Sequence, residues 1–410
     1  MAALARNSTV PENGWVMKIA IVLPDGAADE PVAALGGRTP LAAAHMPNVG
    51  WIAARGRVGR VVTVPLGFIP GTDVATLTLF GYDPHRYYSG RAPIEAAAQG
   101  LAVGPDELVF RCNFVTIENG LMKDFTAGHI RQDEADRLIA ELNRRFADGG
   151  CRFHSGVSYR NLMLLSDARR LDVECSPPHD IPNRPVADHR PRGVGAGRIQ
   201  PLMDRAADLL RDHEVNRERR RQGKDPVTSI WLWGQGRPTA LEPFSSRFGF
   251  SGVVITAVDI IRGLAVMMGM ELIAVPGATG YIDTNYAGKG EAAVRALNEH
   301  DLVVVHIEAP DEAGHLGDAA AKVESLERID EVIVGPLLDA LRRHNNWKIL
   351  VAPDHPTPVT TRAHSAAPPP FCVAGSAIAA VERLPFSESA AERGVLIDPG
   401  HQLMEFFLRS

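Results

Sequence analysis

The sequence contains no apolar run of transmembrane length, so nothing in it predicts a membrane-spanning helix. Residues 1–16 lack the continuous apolar core of a signal peptide and read as a loose extension ahead of Met17. Only four cysteines occur (Cys112, Cys151, Cys175 and Cys372), scattered and without a C-x-x-C pair. That usage excludes a disulfide framework or zinc ribbon and fits free thiols in a reducing compartment. There is no long basic stripe, and a net charge of -6 argues against a general nucleic-acid binder. A P-loop, an internal repeat and a low-complexity segment are also missing. The expectation is a cytoplasmic soluble protein with neither nucleic acid nor membrane as its partner.

What is present is ordinary globular composition, 45% apolar and 22% charged over 410 residues. That length allows one large α/β domain with an insertion, or two domains. Short apolar runs bounded by Pro, Gly and Asp predict buried strands over 18–23, 58–64, 229–233, 253–257, 271–275, 302–307, 348–351 and 371–373. Helical stretches between them, such as 258–268 and 319–342, complete a doubly wound, mostly parallel sheet. From about residue 106 the texture changes to alternating strands with an amphipathic helix over 132–146, ending in Pro-rich chain over 176–192. We therefore expect a loose extension (1–16), a first core part (17–105), an inserted α+β cap (106–195) and a second core part (196–410). The basic run 217–221 reads as a solvated loop.

Chemistry concentrates at predicted strand ends. Asp25 follows the first strand, Asp311 and His315 follow the strand over 302–307, and Asp354 and His355 follow the strand over 348–351, with His364 shortly beyond. Open α/β sheets place their sites at these carboxyl ends. Carboxylates with imidazoles there suit Zn²⁺ or Mn²⁺ better than Ca²⁺, which takes oxygen shells. Thr72 lies in Pro70-Gly71-Thr72-Asp73, a tight turn ahead of the helical run over 74–80. A hydroxyl at a helix N-terminus stands where phosphate oxygens are favoured, which makes Thr72 a nucleophile candidate. An N-cap is the plainer explanation for that threonine. His306, within its apolar strand, reads as a core histidine rather than a ligand.

These residues resemble the archaeal-type, cofactor-independent (2,3-bisphosphoglycerate-independent) phosphoglycerate mutases of the alkaline phosphatase superfamily. The motifs that carry the resemblance run from Met17 to the C-terminus: LPDGAAD (23–29), RTPLAAAHMPN (38–48), PGTDVATL (70–77), GYDP (81–84) and GRAPIEAAAQG (90–100). RCNFVT (111–116), WLWGQG (231–236), VPGATGYIDT (275–284), HIEAPDEAGH (306–315) and APDHPTP (352–358) continue it. The resemblance implies an alkaline-phosphatase-like core and two divalent metal ions, Mn²⁺ or Zn²⁺ with Mg²⁺ admissible, and no 2,3-bisphosphoglycerate. Asp311, His315 and His364 would hold one ion; Asp25, Thr72, Asp354 and His355 would hold the other.

The implied reaction interconverts 3-phosphoglycerate and 2-phosphoglycerate, a step of glycolysis and gluconeogenesis, through a phosphothreonine enzyme. The insertion would grip the glycerate and exclude water, with Arg91, Arg111, Asn113, His154, Arg160 and His179 able to contact carboxylate or phosphate. One departure stands out: the family's nucleophile is usually Ser, and here it is Thr72. Related alternatives are a homoserine-kinase-like phosphotransferase, or a phosphohydrolase or phosphonate-acting enzyme of the same superfamily.

Overall fold

A computed structural model describes residues 17–381 and 383–410; the extension expected over 1–16 lies outside them. In chain order the strands are β1 (Lys18–Pro24), β2 (Arg57–Val61), β3 (Leu108–Glu118), β4 (Leu121–Asp124) and β5 (Cys151–Val157). There follow β6 (Arg160–Leu165), β7 (Asp172–Glu174), β8 (Arg192–Val194), β9 (Ser229–Gly236) and β10 (Gly252–Ile255). The last five are β11 (Glu271–Ile273), β12 (Leu302–Ile307), β13 (Trp347–Val351), β14 (Pro370–Gly375) and β15 (Val395–Ile397). The chain forms two compact units, one running to Arg86 and resuming over Glu242–Ser410, the other spanning Tyr87–Leu241.

The first unit is built on an eight-stranded sheet in the order β11-β10-β12-β1-β13-β14-β2-β15. β10, β11, β12, β1 and β13 run parallel, whereas β14 is antiparallel to both β13 and β2. Every residue of β12 is buried, as a strand covered on both faces requires. Helices such as Tyr286–Glu299 and Gly335–Leu341 supply Ala293, Leu297, Leu337 and Leu341 to a core shared with Val22, Val303, Val305 and Ile349. Each such side chain contributes roughly 1.5–3 kcal/mol of burial. The doubly wound, mostly parallel α/β sheet with an α+β insertion is the fold expected.

Adjacency of β12, β1 and β13 decides where the chemistry goes. Pro24 pairs with Ile307, so β1 and β12 end level, and Val22 pairs with Val351, so β13 ends two residues before them. Asp25, Glu308 and the Asp354 loop therefore emerge side by side from the carboxyl edge.

The second unit differs from expectation in extent. β3 pairs antiparallel with β4, β6 and β9, β5 lies beyond β6, and β7 pairs with β8. β9, read from sequence as a strand of the resuming core, thus belongs here, and the unit reaches beyond 106–195 on both sides. Its core joins Phe110, Phe114 and Trp231 to Leu138 and Leu142 of the helix Gln132–Phe146. The basic run is a second correction: 217–221 closes the helix Glu214–Arg221, and Arg219 is buried. Its guanidinium meets Glu134 Oε2 at 2.5 Å and donates to the Ala127 carbonyl at 2.6 Å and the Asp225 carbonyl at 2.9 Å. The Pro-rich stretch 176–192 holds two short 3-10 turns, Pro178–Asp180 and Val186–His189.

Candidate active site

Asp25 begins the loop after β1, and its next residue explains the turn. Gly26 has φ +60, and a Cβ there would lie 2.4 Å from Asp311 Oδ1, so only glycine lets the two loops meet. The Gly26 amide donates to Asp354 Oδ1 at 3.1 Å, and the His355 amide donates to the same oxygen at 2.8 Å. Asp311 lies in the first turn of the helix Ala309–Leu316, which puts His315 one turn on and on the same face. Thr72 opens the fully buried helix Thr72–Leu79 directly after Gly71.

The structure brings all seven expected residues together. His355 Nε2 stands at the centre, 3.3 Å from Thr72 Oγ1, 3.4 Å from Asp354 Oδ2 and 3.5 Å from Asp25 Oδ1. On the other side, His315 Nε2 is 3.2 Å from Asp311 Oδ2 and 3.0 Å from His364 Nε2, and His364 Nε2 is 3.5 Å from Asp311 Oδ1. The rings of His355 and His364 stack with centroids 4.2 Å apart. Candidate ligand atoms of Asp311, His355 and His364, and those of Asp25, Asp354 and His355, form groups whose members lie within 4.8 Å of one another.

Electrostatics shows what the site requires. Four carboxylates (Asp25, Glu308, Asp311 and Asp354) converge, and Asp25 and Asp354 are fully buried. Burial first, then the charges of Asp354, Glu308 and Asp311, raise Asp25 well above the usual carboxylate range. Burial likewise pushes Glu308 up to about 7. Burial would raise Asp311 as well, but hydrogen bonds from His315 and His364 hold it well below its usual range. The Asp311 contact in turn raises His315 to about 9. Burial pushes His355 down. Asp25 Oδ1, Asp354 Oδ2 and Glu308 Oε2 are buried without a hydrogen-bond partner. Buried anionic oxygens of this kind need cations, so the donor set fits divalent metal.

Glu308 and Lys289 escaped the sequence reading, and His306 was read there as a core histidine. His306 is not merely a core histidine: its Nε2 lies 2.8 Å from Asp25 Oδ2, and burial pushes its pKa down to about 3. Glu308 faces the same point, its Oε2 3.7 Å from His306 Nε2. Lys289 donates to the His306 carbonyl at 3.0 Å, its pKa lowered to about 8 by burial. His306 and Glu308 belong to the HIEAPDEAGH stretch, and their respective distances of five and three residues from Asp311 were the available signal.

In the second unit, three of the six substrate candidates contact Trp233, and the charges of Arg91 and Arg160 act on two of those three. Arg111 stacks on the Trp233 ring at 4.1 Å, and Asn113 Oδ1 accepts from the indole N–H at 3.0 Å. The His179 ring packs edge-on against Trp233 with centroids 5.0 Å apart. Glu95, on the helix Arg91–Ala98, pairs with Arg91 at 3.3 Å and with Arg111 at 2.9 Å. Burial lowers Arg111 to about 10, Glu95 opposing, so it remains a cation at neutral pH. Arg160 donates to the Tyr159 hydroxyl at 3.1 Å, and its charge is felt by both Arg111 and His179. His154 stands apart: its charged neighbours are Arg152 and Glu107, and its Nε2 is buried without a partner. Glu95 and Trp233, inside GRAPIEAAAQG and WLWGQG, were not singled out from sequence.

Sheet and site together define an α/β core of the divalent-metal type, with carboxylates and imidazoles at adjacent strand ends around a hydroxyl that opens a helix. A family model described as 2,3-bisphosphoglycerate-independent phosphoglycerate mutase matches residues 53–216. A protein of that name from Methanothrix thermoacetophila is 49% identical over 394 residues, covering 96% of this chain and 100% of its own. A solved protein from Pyrococcus horikoshii superposes with a TM-score of 0.80 at 27% identity, covering 97% of both chains. The solved cofactor-independent phosphoglycerate mutase from Thermoplasma acidophilum superposes with a TM-score of 0.66 at 27% identity, covering 96% of this chain and 99% of that one. The chain belongs to the 2,3-bisphosphoglycerate-independent phosphoglycerate mutase family. Among the described residues, no helix is long and apolar enough to cross a membrane.

Proposed function

We propose that this protein is a metal-dependent phosphoglycerate mutase that interconverts 3-phosphoglycerate and 2-phosphoglycerate without 2,3-bisphosphoglycerate. The observation that carries the reading is Thr72 Oγ1 at 3.3 Å from His355 Nε2, inside a buried set of unpartnered carboxylate oxygens. Asp311, His315 and His364 would hold one divalent ion, and Asp25, Asp354 and His355 with Thr72 the other. Mn²⁺ or Zn²⁺ suits the mixed imidazole and carboxylate donors. Such ions supply charge neutralisation for the phosphoryl oxygens and a lowered hydroxyl pKa.

The chain's own residues do the rest. The Thr72 oxygen attacks phosphorus, the bond from phosphorus to the 3-oxygen breaks, and the Thr72 proton ends on the departing glycerate hydroxyl. Bound glycerate then presents its 2-hydroxyl, which takes the phosphoryl group from Thr72 and returns the proton. The helix Thr72–Leu79 directs its positive N-terminal end at the phosphate throughout. The second unit serves as the transferase cap: Arg111, Arg91 and Arg160 recognise the carboxylate, with Asn113 and His179 beside them. Four free cysteines, three of them buried, suit a reducing cytoplasm.

The test is ³¹P NMR of metal-stripped protein with 3-phosphoglycerate, before and after addition of Mn²⁺. A 2-phosphoglycerate resonance that appears only with metal, and without bisphosphoglycerate, is expected. Free phosphate in its place would show a hydrolase, and the mutase reading would be abandoned.

A further inference from the structure

His306 is the penultimate residue of β12, a strand otherwise made of Leu, Val and Ile, and is fully buried. An imidazole in that position needs a partner for each nitrogen, and both partners are present. Nε2 faces Asp25 Oδ2 at 2.8 Å, and Nδ1 faces Thr256 Oγ1 at 3.2 Å. The Thr256 oxygen also accepts from the Val258 amide at 3.1 Å. All of these side chains are buried.

The polarity of this chain of bonds follows from the chemistry of its ends. An Asp25 that holds a cation is ionised and can only accept, so Nε2 carries the hydrogen. The Nδ1 of a neutral imidazole then accepts, and the Thr256 hydroxyl is its donor. That hydroxyl oxygen accepts in turn from the Val258 amide, which is fixed in the backbone just ahead of the helix Asp259–Met267. The run Val258 amide to Thr256 to His306 to Asp25 therefore has one consistent direction. It engages Asp25 Oδ2 and leaves Oδ1, which has no hydrogen-bond partner, free for another ligand.

We propose that His306 is a positioning residue for the metal site, donating through Nε2 to Asp25 in a tautomer set by Thr256, so that Oδ1 is turned toward the cation. The proposal rests on the reading of Asp25 as a metal ligand. It assigns His306 no contact with substrate or metal. Neighbours of metal ligands that hold a carboxylate or ring in place typically change affinity by roughly 10–100-fold when removed. The Thr256 hydroxyl is the most remote side chain in the run, and its loss leaves Nδ1 without a donor.

The test is Mn²⁺ titration of the whole chain, followed by electron paramagnetic resonance of free Mn²⁺, with thermal unfolding of each variant alongside. Asp25→Asn is expected to weaken one Mn²⁺ site by more than about 100-fold, beyond the 10–100-fold range for a positioning neighbour. His306→Leu is expected to weaken the same site about 10–100-fold, and His306→Gln, whose amide keeps an N–H donor, to recover most of that loss. Thr256→Val should fall between wild type and His306→Leu. Wild-type affinity in His306→Leu, with Asp25→Asn weakened, would overturn the positioning role and leave the ligand reading intact. Wild-type affinity in Asp25→Asn would instead overturn the ligand reading, and the proposal with it. ¹⁵N NMR of the native protein needs no variant to fold beyond one for assignment. His306 should show a protonated Nε2 and a bare Nδ1, and a protonated Nδ1 would refute the run of bonds.

Discussion

His315 Nε2 and His364 Nε2 face each other at 3.0 Å, while each ring's Nδ1 is directed at a backbone carbonyl. The Nδ1 of His315 lies 3.0 Å from the Arg362 carbonyl and that of His364 lies 3.3 Å from the Pro70 carbonyl. A carbonyl only accepts, so Nδ1 carries hydrogen in both rings, and each Nε2 serves as a ligand once a cation displaces the proton it shares with Asp311. Asp311 completes the set from the same helix as His315.

His315→Ala is therefore expected to lose one bound metal per chain. Elemental analysis after dialysis against metal-free buffer measures this. Metal content equal to that of wild type would remove His315 from the ligand set.

Thr72→Ala should abolish turnover and leave no acid-stable phosphoprotein, since Ala offers no oxygen to phosphorylate. Metal content should change little, because Asp25, Asp354 and His355 remain. Thr72→Ser keeps the hydroxyl and should retain measurable turnover. Incubation with labelled 3-phosphoglycerate followed by acid quench reads the phosphoenzyme, and a full yield in Thr72→Ala would exclude Thr72 as nucleophile.

Gly26→Ala combines a left-handed backbone with a Cβ 2.4 Å from Asp311 Oδ1. Strain of this kind costs on the order of 1–3 kcal/mol, and separating the two loops would disturb the candidate metal-binding groups that contain Asp25 or Asp311. Both a lower melting temperature and weaker Mn²⁺ binding are expected. Calorimetry with and without Mn²⁺ tests it; an unchanged melting temperature would mean the loops relax freely.

Arg111→Leu removes a guanidinium stacked on Trp233 and paired with Glu95. A hydrogen bond to a charged group contributes roughly 1.5–3 kcal/mol, or about 10–100-fold in kcat/KM. Arg111→Lys should recover little, because an ammonium neither stacks nor forks. Steady-state kinetics checks both variants, and a kcat/KM within twofold of wild type would remove Arg111 from substrate recognition.

Arg219→Met leaves Glu134 buried opposite an apolar side chain. Breaking one partner of a buried pair costs about 3–5 kcal/mol. Denaturant unfolding should show that loss, and Arg219→Met combined with Glu134→Gln should restore part of it. Wild-type stability in the single variant would mean the pair contributes nothing.

The sequence by itself determined the local parts of this protein. Continuous Val, Ile and Leu runs ending in Asp specify parallel strands with a carboxylate at the exit, because both sheet faces must be apolar. Hence β1, β12 and β13, and with them Asp25, Asp311 and Asp354, were legible. The i, i+4 spacing of Asp311 and His315 likewise follows from helix geometry. Tertiary structure alone decided that β12, β1 and β13 are neighbours, which is what collects residues nearly 340 positions apart (Asp25 to His364) into one site. Strand order depends on how helices cover the sheet, and no local pattern encodes it. The same holds for β9, whose apolar run suits either sheet until its pairing with β3 is seen. His306 shows the limit most clearly. An imidazole inside an apolar strand looks the same in sequence whether its partners are structural or belong to a metal site, and only the fold brings Asp25 and Thr256 to its two nitrogens.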